Sequence, residues 1–295
     1  MPDRDAYLAT TAWLADHLDD PDLSILECTV SLRPRADGKP GFEVAPGRDA
    51  WAQSHIPGSV FADLHNDLSD RNSPLRFMMP PAEQFAEAMG RYGVGDNSRV
   101  VLYDRAGNVW AARVWWMLRA FGFENARVLD GGWAAWTAAT RPVASAAQEK
   151  APTTATFTAR VDPSLIASKD EVLAAMEAGR SCIVNALSAS QHTGEVAPYG
   201  RPGHIKGSSN VPAVGNEGLV DPKSQVYQPV DVIRQRLEEA GAKRGERLIT
   251  YCGGGIAASS VAFAAVMAGY DNVAVYDASL SEWAADPALP MEVGA

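Results

Sequence analysis

Cys252 stands between an apolar run, Leu248 to Tyr251, and three consecutive glycines, Gly253, Gly254 and Gly255. The run reads as a buried strand. Ile256 to Ala268, rich in Ala, Val, Phe and Met and free of breakers, reads as a helix. The thiol therefore sits where a strand ends and a helix begins. Backbone N–H groups in the first turn of a helix have no intrahelical acceptor, and the helix dipole adds partial positive charge there. Glycines let successive N–H groups curl into a concave nest with no side chain in the way. Gly253, Gly254, Gly255, Ile256, Ala257 and Ala258 are thus the expected cradle for an anion on Cys252, a setting that favours thiolate over thiol. The chemistry on offer is nucleophilic attack by sulfur. A cysteine alone would suit the end of a core strand; the glycines and the helix start tip the reading to function.

The other two cysteines, Cys28 and Cys182, lie in or beside apolar strands and read as inert. Three scattered cysteines make neither a disulfide framework nor a zinc site, and unpaired thiols suit a reducing compartment. The 295 residues suggest two domains of ordinary size, with 46% hydrophobic residues to fill both cores. Lys and Arg total 26 against 36 Asp and Glu, a formal net charge of −10. That balance argues against nucleic acid or an anionic membrane as partner, and it means an anionic substrate needs a local positive site. Met1 to Leu18 holds no apolar h-region and no run of about 18 apolar residues follows, so the expected location is the cytoplasm.

Strand and helix patterns alternate along the chain. Ala6 to Leu18 reads as a helix, Leu23 to Val30 as a strand, and residues 31 to 50 as an irregular loop. Asp63 to Pro81 is a long polar stretch without a period, of the kind that often serves function. Ala82 to Tyr92 (helix), Arg99 to Tyr103 (strand), Ala111 to Phe121 (helix) and Arg127 to Leu129 (strand) follow. Residues 143–158, rich in Ala, Ser, Thr and Pro, read as a linker between a domain at 5–142 and another at 159–295. After it come a helix from Ser168 to Ala178, a strand from Cys182 to Ala186, a helix from Asp231 to Ala240, and a last strand from Val273 to Tyr276. This order implies α/β units with parallel sheets flanked by helices.

The two halves repeat each other. His55-Ile56-Pro57-Gly58-Ser59 returns as His204-Ile205-Lys206-Gly207-Ser208, and Asp130 and Trp136 return as Asp277 and Trp283. Val101-Leu102-Tyr103-Asp104 lies under Ile249-Thr250-Tyr251-Cys252, so only the second copy holds a thiol at that point.

At these residues, and at Ser69-Asp70-Arg71, Arg113-Val114-Trp115-Trp116-Met117 and Leu129-Asp130-Gly131-Gly132, the chain resembles the tandem-domain rhodanese family of thiosulfate and 3-mercaptopyruvate sulfurtransferases. The resemblance implies two tandem rhodanese-like α/β domains, each a mostly parallel sheet flanked by helices, the first without a nucleophile. It implies a persulfide on Cys252 that takes sulfane sulfur from a small anionic donor and gives it to a thiophilic acceptor such as cyanide or a thiol. No metal or organic cofactor is required. The family's thiosulfate-preferring members carry two basic residues where Gly253 and Gly254 stand. Its mercaptopyruvate-preferring members carry a serine at Gly254, with an aspartate and a histidine falling on His65 and Phe77. Gln191 and His192 occupy the places of the usual arginine and aromatic, and Arg201 is the nearest basic residue for an anionic donor. Gln191, His192, Arg201 and His65 are therefore the substrate-binding candidates.

Two other readings fit part of the pattern. Gly253-x-Gly255-x-x-Ala258 matches a dinucleotide fingerprint with Asp277 beyond it, which would make the second domain a nucleotide-binding module. The second half would equally serve as a non-catalytic sulfur carrier.

Overall fold

The computed structural model describes residues 4–36, 42–148, 152–178 and 182–294. Two five-stranded sheets organise them, and every pairing within each is parallel. The first has the order β1 (Leu8–Ala9), β7 (Ala126–Leu129), β6 (Arg99–Tyr103), β2 (Leu23–Glu27), β5 (Ser59–Phe61). The second runs β8 (Ile166–Ala167), β13 (Val273–Tyr276), β12 (Leu248–Tyr251), β9 (Cys182–Asn185), β11 (Ser209–Asn210), the same order strand for strand. Two small antiparallel pairs complete the set: the hairpin β3 (Val30–Pro34) with β4 (Phe42–Pro46), and β10 (His204–Ile205) with β14 (Met291–Glu292).

A parallel sheet must be covered on both faces, and the strands divide their residues accordingly. In β6, Val101 and Tyr103 face a small cluster with Leu14 and Trp136, while Val100 and Leu102 join the main core. That main core runs unbroken from one half of the chain to the other. Its centre is the contact between helices Val109–Ala120 and Ile256–Met267, where Trp115 meets Phe263 edge-on at 4.8 Å between centroids. Every residue of the second helix except Ala257 is buried, as expected of a helix that is apolar all round.

The repeated motifs are the fold's fastenings. Tyr103 Oη accepts from the Ile56 N–H and bonds Ser59 Oγ, and Tyr251 Oη does the same with Ile205 and Ser208. Trp136 and Trp283 are both fully buried and donate their indole N–H to the carbonyls of Pro142 and Pro290.

The expected helix over Ala6 to Leu18 is shorter. Leu8–Ala9 is an edge strand, and the helix begins after Thr10, whose Oγ1 accepts from the Trp13 N–H at 3.0 Å. Residues 31 to 50, expected to be irregular, contain most of the β3–β4 hairpin; residues 37–41 lie outside the described set. Part of the expected linker, 149–151, also lies outside it. Beyond that, the Ala155 N–H donates to Gly90 O and Phe157 packs against Phe85 and Phe123, so this stretch is tied to the first half of the molecule.

Candidate active site

The turn from β12 into helix Ile256–Met267 is held from below. The Cys252 N–H donates to Ser279 Oγ at 3.0 Å, and the Leu280 and Ser281 N–H groups donate to the carbonyls of Cys252 and Gly253. Gly255 turns the chain with φ +80° and caps the helix, a conformation glycine adopts without strain. Among the described residues, no acceptor takes the N–H groups of Gly253 through Ala258.

The first half shows what such a turn can hold. Asp104, the counterpart of Cys252, precedes helix Val109–Ala120 by a turn one residue longer, capped by Asn108 at φ +63°. Its carboxylate is fully buried and accepts four backbone N–H bonds: Ala106 and Asn108 on Oδ1, Trp110 and Ala111 on Oδ2, at 2.7–3.0 Å. Burial lifts the Asp104 carboxyl above its ordinary value, and the four N–H bonds pull against that. The two copies thus part at this turn: the first closes its N–H groups on a carboxylate, and the second carries a thiol ahead of N–H groups that no described residue accepts.

Cys252 is 3% exposed and lies at a cavity of about 450 Å³ between the two halves. Of the residues expected to form a cradle, Gly253, Gly254, Ile256 and Ala257 line it and Gly255 and Ala258 do not. Pro74 to Phe77, from the long polar stretch, form another wall. Tyr199 packs against the turn. A Cβ placed on Gly253 would fall 1.9 Å from both Cζ and Oη of Tyr199, so a side chain there would have to displace the Tyr199 ring. Burial, and then the neighbouring Cys252, push the Tyr199 phenol well above its ordinary pKa, so it stays a neutral O–H at neutral pH. A Cβ on Gly254, by contrast, would meet nothing closer than 3.7 Å.

Of the substrate-binding candidates, Gln191 lines this cavity and the other three do not. Arg201 donates from Nη1 to the carbonyls of Asp286 and Leu289, tying down the chain's end. His192 is 6% exposed, stacks on His204 at 3.6 Å and meets Asn185 Nδ2 at 3.2 Å. Burial, followed by the charge of His204, brings its pKa down to about 4, so it is neutral at pH 7. His65 packs edge-on against Phe77 at 5.8 Å, one layer behind the wall. Sequence reading missed Tyr199 and Arg76. Arg76 is exposed and is the one charged side chain lining the cavity among the described residues; its Nη1 donates to Phe42 O.

Asp277, which a dinucleotide would need for its ribose, is committed elsewhere. Its Oδ1 pairs with the fully buried Arg113 at 2.7 Å and its Oδ2 accepts the Met79 N–H at 2.7 Å. Burial, then nearby carboxylates, raise the pKa of Cys28; burial, then Glu246, raise that of Cys182 to about 11. Both stay protonated at neutral pH, in line with inert thiols. Among the described residues no helix is long and apolar enough to cross a membrane.

The Rhodanese-like domain family matches residues 10–139 and 168–286. The 3-mercaptopyruvate sulfurtransferase of Escherichia coli (strain K12) is 33% identical over 283 residues, 95% of each chain. That of Homo sapiens is 37% identical over 248 residues, 80% of each. The crystal structure of SseA from Escherichia coli superposes with a TM-score of 0.79 at 30% identity, covering 92% of this chain and 98% of that one.

Proposed function

The chain belongs to the rhodanese-like family of sulfurtransferases, and on that premise we propose that it moves sulfane sulfur from 3-mercaptopyruvate or thiosulfate to a thiophilic acceptor through a persulfide on Cys252. The observation that carries the reading is the doubled turn. Where Asp104 brings a carboxylate to four N–H groups, Cys252 brings a thiol to N–H groups that have no acceptor among the described residues.

The Cys252 thiolate attacks the donor's transferable sulfur. The bond from that sulfur to the rest of the donor breaks, and its electron pair leaves with pyruvate enolate or sulfite. From mercaptopyruvate, the proton of the transferred thiol passes to the enolate carbon to give pyruvate; with either donor the terminal sulfur of the persulfide is left with a negative charge. Preorganised N–H dipoles from Gly253 to Ala258 stabilise that charge as an oxyanion hole would, and they need no reorganisation as it develops. The Tyr199 O–H, packed against Gly253, supplies a further neutral donor for that charge. The acceptor then attacks the terminal sulfur and Cys252 departs as thiolate.

With either donor plus cyanide, the protein should form thiocyanate, and its intact mass should rise by one sulfur. Cys252→Ser should abolish both. If Cys252→Ser keeps wild-type turnover, or if Cys28→Ser and Cys182→Ser remove the added mass instead, the assignment is wrong.

A further inference from the structure

The cavity over Cys252 is built for something larger and more apolar than the small anions that load it. Its volume, about 450 Å³, falls in the range of about 300–1,000 Å³ that suits drug-sized organic molecules. Mercaptopyruvate and thiosulfate have only a handful of heavy atoms. Trp110, Phe77 and Leu187 form its floor and Leu32, Phe42 and Val214 its rim. Leu32 and Val214 are 40% and 44% exposed, and they come from opposite halves of the molecule, so two bare hydrocarbon side chains face the solvent at one mouth. No carboxylate lines the cavity among the described residues, and Arg76 is its one cation. On a chain of net charge −10, that pattern is selective.

Resting on the persulfide reading of Cys252, we propose that the acceptor this site takes is an organic thiol with an apolar body and a single anionic group, the body lying against Leu32, Phe42, Trp110 and Val214 and the anion reaching Arg76. In the transfer, the acceptor's sulfur bonds to the terminal sulfur of the Cys252 persulfide anion. The acceptor's thiol proton moves to that terminal sulfur. The bond to Cys252 Sγ breaks, and its electron pair leaves with Cys252 as thiolate. The product is the acceptor's persulfide, and no external oxidant or reductant enters.

The test loads Cys252 from mercaptopyruvate or thiosulfate, verifies the added sulfur by intact mass, and follows its single-turnover loss to ω-mercaptoalkanoates of increasing chain length. Burial of each methylene should raise the second-order rate constant about two- to fourfold until the cavity is filled. Cysteine and 2-mercaptoethanol should be the slowest. Within Leu32→Ser and Val214→Ser, the ratio of long to short acceptor should shrink, a ratio that cancels any general loss of activity. In Arg76→Gln the advantage of a carboxylate over the matching ω-mercaptoalcohol should disappear. A loaded enzyme whose rate is flat with chain length, or that favours cysteine, overturns the proposal and leaves the persulfide intact. Failure to load sulfur on Cys252 from any donor overturns both.

Discussion

Tyr199 and Gly253 are one feature seen from two sides. With the ring where it stands, a side chain at 253 would have to push it aside. The basic residue that the family's thiosulfate-preferring members carry there is thus physically replaced by a neutral phenol. A hydrogen bond to a charged sulfur is worth about 1.5–3 kcal/mol, so Tyr199→Phe should lower kcat for sulfur transfer roughly ten- to hundredfold with little change in stability. An unchanged kcat would remove the O–H from the mechanism. His192 gives a second measurable effect. Its folded pKa lies below its unfolded value of about 6.5, so the fold prefers the neutral ring. Its contribution to stability is complete above about pH 6.5 and is lost as pH falls towards about 4. His204, Asn185 and Glu292 surround it. Urea unfolding should show up to about 3 kcal/mol of loss across that window, and His192→Phe, which keeps a ring against His204, should flatten it. An equal slope in the variant would assign the titration elsewhere.

The Asp104 turn allows the nest to be tested as an element, separately from catalysis. Asp104→Ala would leave four buried N–H groups without their acceptor. Each costs about 1–3 kcal/mol, so denaturant unfolding should show a loss of at least about 3 kcal/mol; a loss below about 1 kcal/mol would mean the turn does not stabilise an anion. This turn and its counterpart at Cys252 were legible in the sequence because each is contiguous: strand, glycines and apolar helix lie within twenty residues or so. The repeat was legible for the same reason; the strand order that both sheets share was not. Nor was the β3–β4 hairpin. Its β4 residues are partly exposed on both sides, so the alternation that marks a half-buried strand is missing. Short edge strands such as β1 and β8, two residues each, are too brief to show a period. Arg201 looked like an anion site because it is basic and near the motif. Its guanidinium instead serves two carbonyls some 85 residues away in sequence, and Arg76 reaches the cavity only because the halves dock.

At the scale of the whole molecule, the docking has its own symmetry. After β13, Asp277 accepts the Met79 N–H of the first half; after β7, its repeat partner Asp130 accepts the Tyr227 N–H of the second. The two clamps are equivalent in backbone but unequal in charge. Asp277 pairs with Arg113, whose side chain is fully buried, whereas Asp130 pairs at 2.7 Å with Arg4, whose side chain is 30% exposed. Stripping a partner from a buried ion pair costs about 3–5 kcal/mol, because the remaining charge stays desolvated. A pair closer to solvent is worth less, down to about 1 kcal/mol or below when fully exposed. Asp277→Asn should therefore destabilise the protein several times more than Asp130→Asn in denaturant unfolding. The inequality falls where the chemistry is. Asp277 Oδ1 and Arg113 Nη1 lie within 3.0 Å of where a Cβ on Gly255 would stand, directly behind the cysteine turn. Weakening this clamp should loosen the nest as well as the interface, so Asp277→Asn should also slow sulfur loading of Cys252 measured by intact mass. Asp130→Asn, on the far side of the same interface, should load at the wild-type rate. Equal losses of stability and of loading rate in the two variants would show that the buried pair has no special hold on the active turn.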